Sequence, residues 1–535
     1  MKIWRASLVS VLCACGSSSF HGDAGVDAST DAGSDVGFVE AGPRNDFTQP
    51  ILDTGVPSNA PALFAGTDQS GAGPCLYEPE IGSLFPNNWL RPRFRFQTTQ
   101  SENLFEIELV VANETSPLLI YTTKSGYVMD KATWATITSF GVGTMHVRVR
   151  SALVSNNVLS AGPWKGSEGD MTIAPVGASG SVVYWTTSNG TVLKGFKIGD
   201  ETVQSVITPT QASTACVGCH TSTPDGLDTA FSASNNAGDG SPSFIELRSV
   251  DGTASVPSYI GSGASALLAR QQQYAPSFSK AHWAAGDRVM LSMFNVNSKS
   301  EIAWTDLEAT SQTQGTAWDV LPRGDTNAAA SATFNHAGTT IAYTSASTVG
   351  SGMVSDDGRI FTVPYNNRAG GTASPLPGAS DTSSVQFYPV FAADDRLVAF
   401  DRVPTGQPNP NGGSVSYNNP NAEVFVVPSA GGTATRLRAN DPPSCMSAKS
   451  PGVTNSWPKW SPEVKTAGGS SYYFLIFSST RDPGASGGPQ LYVAPMTVDA
   501  ANNITTYSAL YLWNQPEAEK NHTPAWDVFQ LPGPN

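Results

Sequence analysis

The sequence predicts an all-β chain, a six-bladed β-propeller preceded by a small β-sandwich of immunoglobulin or fibronectin type III character. Three observations carry this. Among 535 residues only 14% are charged, while 51 Gly and 38 Pro are interleaved with Thr, Ser, Val and aromatics, the composition of short strands joined by many turns. An aromatic anchor followed by a turn and an apolar run recurs along the second two-thirds of the chain. Between Pro79 and Pro175, apolar residues fall mostly on alternating positions within short runs.

In chain order, Lys2 and Arg5 precede a short apolar stretch, Leu8 to Leu12, too brief to span a bilayer, so residues 1–15 read as an export signal. Leu12-Cys13-Ala14-Cys15 resembles a bacterial lipobox, which implies lipidation of Cys15; an ordinary secretory signal cleaved nearby is the alternative. Gly16 follows in place of the inner-membrane retention residue Asp, which favours the outer membrane, facing the periplasm or the cell surface. Residues 16–57, rich in Gly, Ala, Ser and Asp, are expected to be a disordered tether because they bury too little surface to offset ordering entropy. The formal net charge of −14 argues against nucleic acid as a partner and leaves the lipid anchor as the only membrane attachment expected.

The sandwich is expected over 79–175, with Phe94, Phe96, Leu104, Ile107, Leu109, Leu118, Ile120, Trp134, Met145, Val147 and Val149 forming its core. The propeller is expected over 178–535. Its anchors, Phe278, Phe334, Phe391, Trp460 and Trp526, are separated by steps of 56, 57, 69 and 66 residues. Counting back by 56 lands on Ser222, within Thr221-Ser222-Thr223-Pro224-Asp225-Gly226, so the first repeat contains the chain's most specific motif. Each anchor is followed by a further strand, as in Glu301-Ile302-Ala303-Trp304 and Gln490-Leu491-Tyr492-Val493. The copy missing after Trp526 is assigned to Val182-Val183-Tyr184-Trp185, so the last blade draws on both ends of the chain and seals a sheet edge. The recurring phrase, clearest at Trp460-Ser461-Pro462 and Ser478-Ser479-Thr480-Arg481-Asp482, resembles the TolB-like six-bladed propellers, in a bacterial subset bearing C-x-x-C-H before the first S-x-D-G-type turn. TolB itself carries no haem, and its N-terminal domain is not recognisable here.

That motif is Cys216-Val217-Gly218-Cys219-His220. Two thiols at this spacing suit thioether bonds to haem c, with the adjoining imidazole as iron ligand, so Cys216, Cys219 and His220 are the candidate cofactor-binding residues. Zinc or a local disulfide are the competing readings; zinc would need further Cys or His ligands at short spacing, and none occurs between Thr221 and His282, while a disulfide would leave His220 unexplained. The sixth iron position is assigned to His522 before Met293, with an open site as the other possibility; His282 and His336 rank lower. The motif and His522 are expected in loops opening on one rim, with His220 where other repeats carry Pro276, Pro389, Pro458 or Pro524. Cys75 and Cys445 are left over, and an oxidising compartment would permit a bridge between them.

No catalytic residues emerge. Gly484-Ala485-Ser486-Gly487-Gly488 matches G-x-S-x-G but lies between propeller strands, where no nucleophile elbow can form. The preferred reading is an envelope-anchored haem propeller moving electrons to a redox partner. The alternative is a TolB-like binding scaffold for other envelope proteins, without redox turnover.

Overall fold

A computed structural model describes residues 42–70, 73–99, 101–188, 190–236, 243–481 and 488–533. The export signal with Cys13 and Cys15, residues 16–41 of the expected tether, and the Gly484–Gly487 part of the G-x-S-x-G string lie outside the described residues. The chain is all-β, 45% strand and 7% helix, with many small sheets and one sheet curled into a half-barrel. Among the described residues no helix is long and apolar enough to cross a membrane.

The N-terminal part contains a six-stranded sheet in the order Ile51–Leu52, Leu118–Thr122, Leu104–Val111, Gly143–Ser155, Val158–Ile173 and Leu84–Phe85. Beside it lies a three-stranded sheet of β1 (Cys75–Glu78), Arg93–Gln97 and Gly126–Val128. Period-two alternation sorts the faces. Phe105, Ile107, Leu109 and Val111 enter one apolar cluster together with Phe94 and Phe96 of the smaller sheet, whereas Leu104 enters another with Phe64 and Tyr121. Two features depart from expectation. Trp134 and Ile137 lie on a helix, Lys131–Phe140, capped by Asp130, which accepts bonds from the backbone N–H groups of Ala132 and Thr133. Residues 42–57, at the end of the expected tether, are laid on the sheet: Arg44 N–H donates to Asn113 O at 2.8 Å, and Ile51 pairs with Ile120.

From residue 181 onward the described residues form six antiparallel sheets of three or more strands, besides a two-stranded one of Val349–Gly350 and Met353–Val354. In one, β2 (Ser181–Thr186) is followed outward by Val192–Lys197 and Gln204–Ile207. The next five begin with β3 (Cys216–Ser222), β4 (Gln273–Phe278), β5 (Ala328–Phe334), β6 (Ser384–Phe391) and β7 (Asn455–Trp460). The last strand, β8 (Asn521–Asp527), pairs antiparallel with β2, with Val182 opposite Trp526. So Val182–Trp185 is the neighbour of a first strand, and Leu193–Phe196, one strand further out, takes the place that the sequence reading gave it.

Every residue of β3 to β8 is buried. Each of these strands carries a bulge at one shared position, where the register to its neighbour shifts. Five place a residue at positive φ there: Ala275, Ser331, Tyr388, Trp457 and Thr523. A bulged residue drops out of the ladder, so the lack of an N–H at Pro276, Pro389, Pro458 and Pro524 costs no strand bond. Aligned on this bulge, the pairing corrects the reading of the first repeat. Cys219, not His220, occupies the proline position, and Thr221, not Ser222, stands where the others place Phe278 or Trp460. His220 is the equivalent of Ser277 and Lys459.

Consecutive sheets are joined by anchor rings and turn carboxylates. Trp460 Nε1 donates to Val390 O at 3.0 Å, Trp283 Nε1 to Asp225 at 3.1 Å, and Tyr473 OH to Asp394 at 2.5 Å. The N-terminal part is fused to this body. Its main cluster continues into Val182, Tyr184, Phe474, Ile476 and Trp526, and a disulfide links Cys75 to Cys445 with Cα atoms 5.7 Å apart. Buried Arg481 donates to Glu80 at 3.1 Å but also to Ala439 O, Asn440 O and Asn455 Oδ1. Sharing its donors this way, Arg481 offsets only part of the desolvation of Glu80, whose carboxyl is pushed up to about 7 by burial. A carboxyl raised in the folded state favours folding below its unfolded pKa and loses that contribution as pH rises to the folded value. Wild-type stability is therefore expected to decline between about pH 4.5 and 7 relative to Glu80→Gln in denaturant titrations. Arg481→Met, which leaves Glu80 buried alone, is expected to cost about 3–5 kcal/mol at neutral pH.

Candidate functional site

The C-x-x-C-H segment is delivered by a short helix, Pro209–Ala212, whose Thr208 and Gln211 form a capping box. Ser213 then turns the chain at φ 56° into β3. The motif is thus part of a buried strand and not a loop before one: Cys216 pairs with Ser234, Val217 with Ala233 and His220 with Phe231, while Gly218 and Cys219 fall in the bulge. Val217 N–H donates to Thr191 Oγ1 at 2.9 Å, tying the strand to the sheet that starts at β2.

Cys216 and Cys219 are 6% and 0% exposed and pack against each other. His220, 4% exposed, has Nε2 at 3.0 Å from Val183 O. A carbonyl only accepts, so Nε2 carries the proton and Nδ1 is left as an unprotonated nitrogen without a hydrogen-bond partner. Burial lowers the His220 pKa to about 4, and the Lys459 ammonium adds to the effect.

Lys459 belongs to a second buried set. Its pKa is lowered to about 7 by burial, against the attraction of Asp401. Asp401 is raised well above the carboxylate range by burial, although it accepts from Ser456 Oγ and from Trp457 N–H at 3.2 Å. Lys280, whose Nζ has no hydrogen-bond partner, is lowered by burial to about 8, with Asp527 and Glu463 as the opposing charges. These groups went unrecognised in the sequence; the only signal was a lysine between Pro458 and the Trp460 anchor.

His522 also lies within a strand. It sits opposite Trp185, between the rings of Trp185 at 4.7 Å and Trp457 at 5.4 Å, with Nδ1 unpartnered and its pKa lowered to about 3 by burial. Met293 is fully buried in an apolar cluster and pairs with Tyr274. His282 is bonded to Gly338 O and Asp287, and His336 to Asp395.

Tested against haem c, the donor chemistry fits and the packing does not. Two adjacent cysteine sulfurs and a neutral imidazole with an unpartnered nitrogen are the right elements. Yet both sulfurs are enclosed, Cys219 is disulfide-bonded and so offers no thiol, His220 Nε2 is committed to Val183 O, and none of the three residues lines the crevices of 190–790 Å³ found among the described residues. Among the described residues, no three His, Cys, Asp or Glu side chains are grouped to hold a metal ion.

The buried histidines make a testable contribution. A histidine whose folded pKa lies below 6.5 contributes fully above that value and loses its contribution as pH falls toward the folded pKa. Between pH 6.5 and 4, His522→Phe is expected to lose roughly 3 kcal/mol less stability than wild type, measured by chemical denaturation across the range. No family model matches the chain, and no curated protein matches it.

Proposed function

We propose that this chain is a binding scaffold of the cell envelope: a TolB-like six-bladed β-propeller with a sandwich domain fixed to it, exported and lipid-anchored through Cys15. The pairing of β8 with β2 carries this reading, because a first strand supplied from the far end of the chain is what closure of a six-sheet ring requires. The bulge shared by β3 to β8 supports it, since equivalent strands in equivalent places are the mark of blades. The disulfide and the Arg481–Glu80 pair make the sandwich and the repeats one presenting surface. A folded, anchored protein that retains a stable envelope partner after crosslinking, and releases it into the soluble fraction as Cys15→Ser, is the expected result. Recovery of the protein alone under both conditions would reject the scaffold.

A second reading keeps one covalent haem c on Cys216 and Cys219, with His220 and His522 as iron ligands and electron transfer as the task. The unpartnered Nδ1 atoms of the two neutral histidines favour it, although the disulfide at Cys219 would have to be reduced and β3 to repack to admit a porphyrin. Pyridine haemochrome analysis of protein made with a cytochrome c maturation system decides between the two. A c-type spectrum lost in Cys219→Ala, with the fold retained, establishes haem, and its absence in wild type leaves the scaffold alone.

A further inference from the structure

Residues 441–454 run from the fifth of the small sheets to β7 without a regular element. Both ends of this strap are held by the repeat body. Asp441 is paired with Arg436 at 2.6 Å, Ser450 Oγ donates to Glu423 at 2.6 Å, and Gly452 N–H donates to Pro420 O at 2.9 Å. Its middle reaches the N-terminal part through Cys445, which is bonded to Cys75 and lies 3.9 Å from Leu76 O and 3.8 Å from Ser167 Oγ. Cys445 is exposed, so one sulfur of the bridge belongs to a residue that solvent reaches, whereas Cys75 is buried. Under the strap lies a crevice of about 300 Å³, lined by Met446 of the strap and by Tyr77, Glu80, Arg481 and Tyr492.

We propose that the Cys75–Cys445 disulfide is a redox latch whose reduction frees the strap and opens this crevice between the sandwich and the repeats. The reductant is a dithiol. Its thiolate attacks Cys445 Sγ and breaks the S–S bond; its second thiol closes a disulfide, and both cysteines end as thiols. Two electrons and two protons pass from reductant to protein. Opening is local because β1 stays paired to Arg93–Gln97 and the shared apolar cluster is untouched. What becomes more accessible is a tyrosine-lined cleft containing the Arg481–Glu80 pair, narrowed by the strap in the oxidised protein.

The test uses the full chain, oxidised or treated with dithiothreitol, with Cys445→Ser as a reductant-free counterpart. Amide exchange over 443–449 and peroxide oxidation of Met446 are expected to rise about ten-fold or more in both opened forms. Exchange in Leu104–Val111 and Ser470–Ser479 is expected to stay unchanged. Unaltered exchange and oxidation at the strap would overturn the latch, since other contacts would then hold it. So would equal acceleration in the strap and in those two strands, which would make the bridge a support of global stability.

Discussion

The bulge shared by β3 to β8 is the constraint on which the rest of the molecule depends. Each of these strands is wholly buried, and an unbroken buried strand would leave no place for a prolyl residue or for a change of side-chain facing. Inserting one unpaired step reverses the alternation midway. Residues before the bulge and residues after it are then free to serve different neighbours. This is why Trp457, at the bulge, can lie against His522 while Trp460, beyond it, donates to Val390 in the preceding sheet.

The same device explains the state of the C-x-x-C-H segment. Val217 and His220 are in register with the neighbouring strand and Gly218-Cys219 are not, so Cys216 and Cys219 come together on one side. The imidazole turns to Val183 of the adjoining sheet. The interior around it is polar yet close to neutral: two histidines are lowered, Lys459 and Lys280 are lowered, and Asp401 is raised, each by desolvation. Desolvation there is borne by ionisable groups whose charged forms are disfavoured.

Much of the architecture was legible where a residue acts through its own periodicity. The alternation in Leu104–Val111 and the spacing of Phe278, Phe334 and Phe391 marked strands and sheets correctly. The helix Lys131–Phe140 was hidden because Trp134 alone looked like one more inward strand residue, and the cap at Asp130 was passed over. The register of the first repeat slipped by one residue because Thr221 replaces the ring that marks the position elsewhere. The strand setting of Cys216 to His220 is invisible locally: it depends on Val183 of a different sheet and on Thr191, just before that sheet's strand Val192–Lys197. Asp401 and Lys459 are likewise 58 positions apart in sequence and meet only once two sheets are stacked.

The union of β8 with β2 also sets an order of events. Ser181 Oγ finds its acceptor, Phe529 O, across 348 residues, so no amount of early folding completes that sheet. A chain emerging from its N-terminus holds Ser181–Thr186 with one edge bare until the final strand is released. Closure of that sheet is thus a contact of very high sequence separation, the kind that forms slowly and late because the intervening chain must be ordered before it is rewarded.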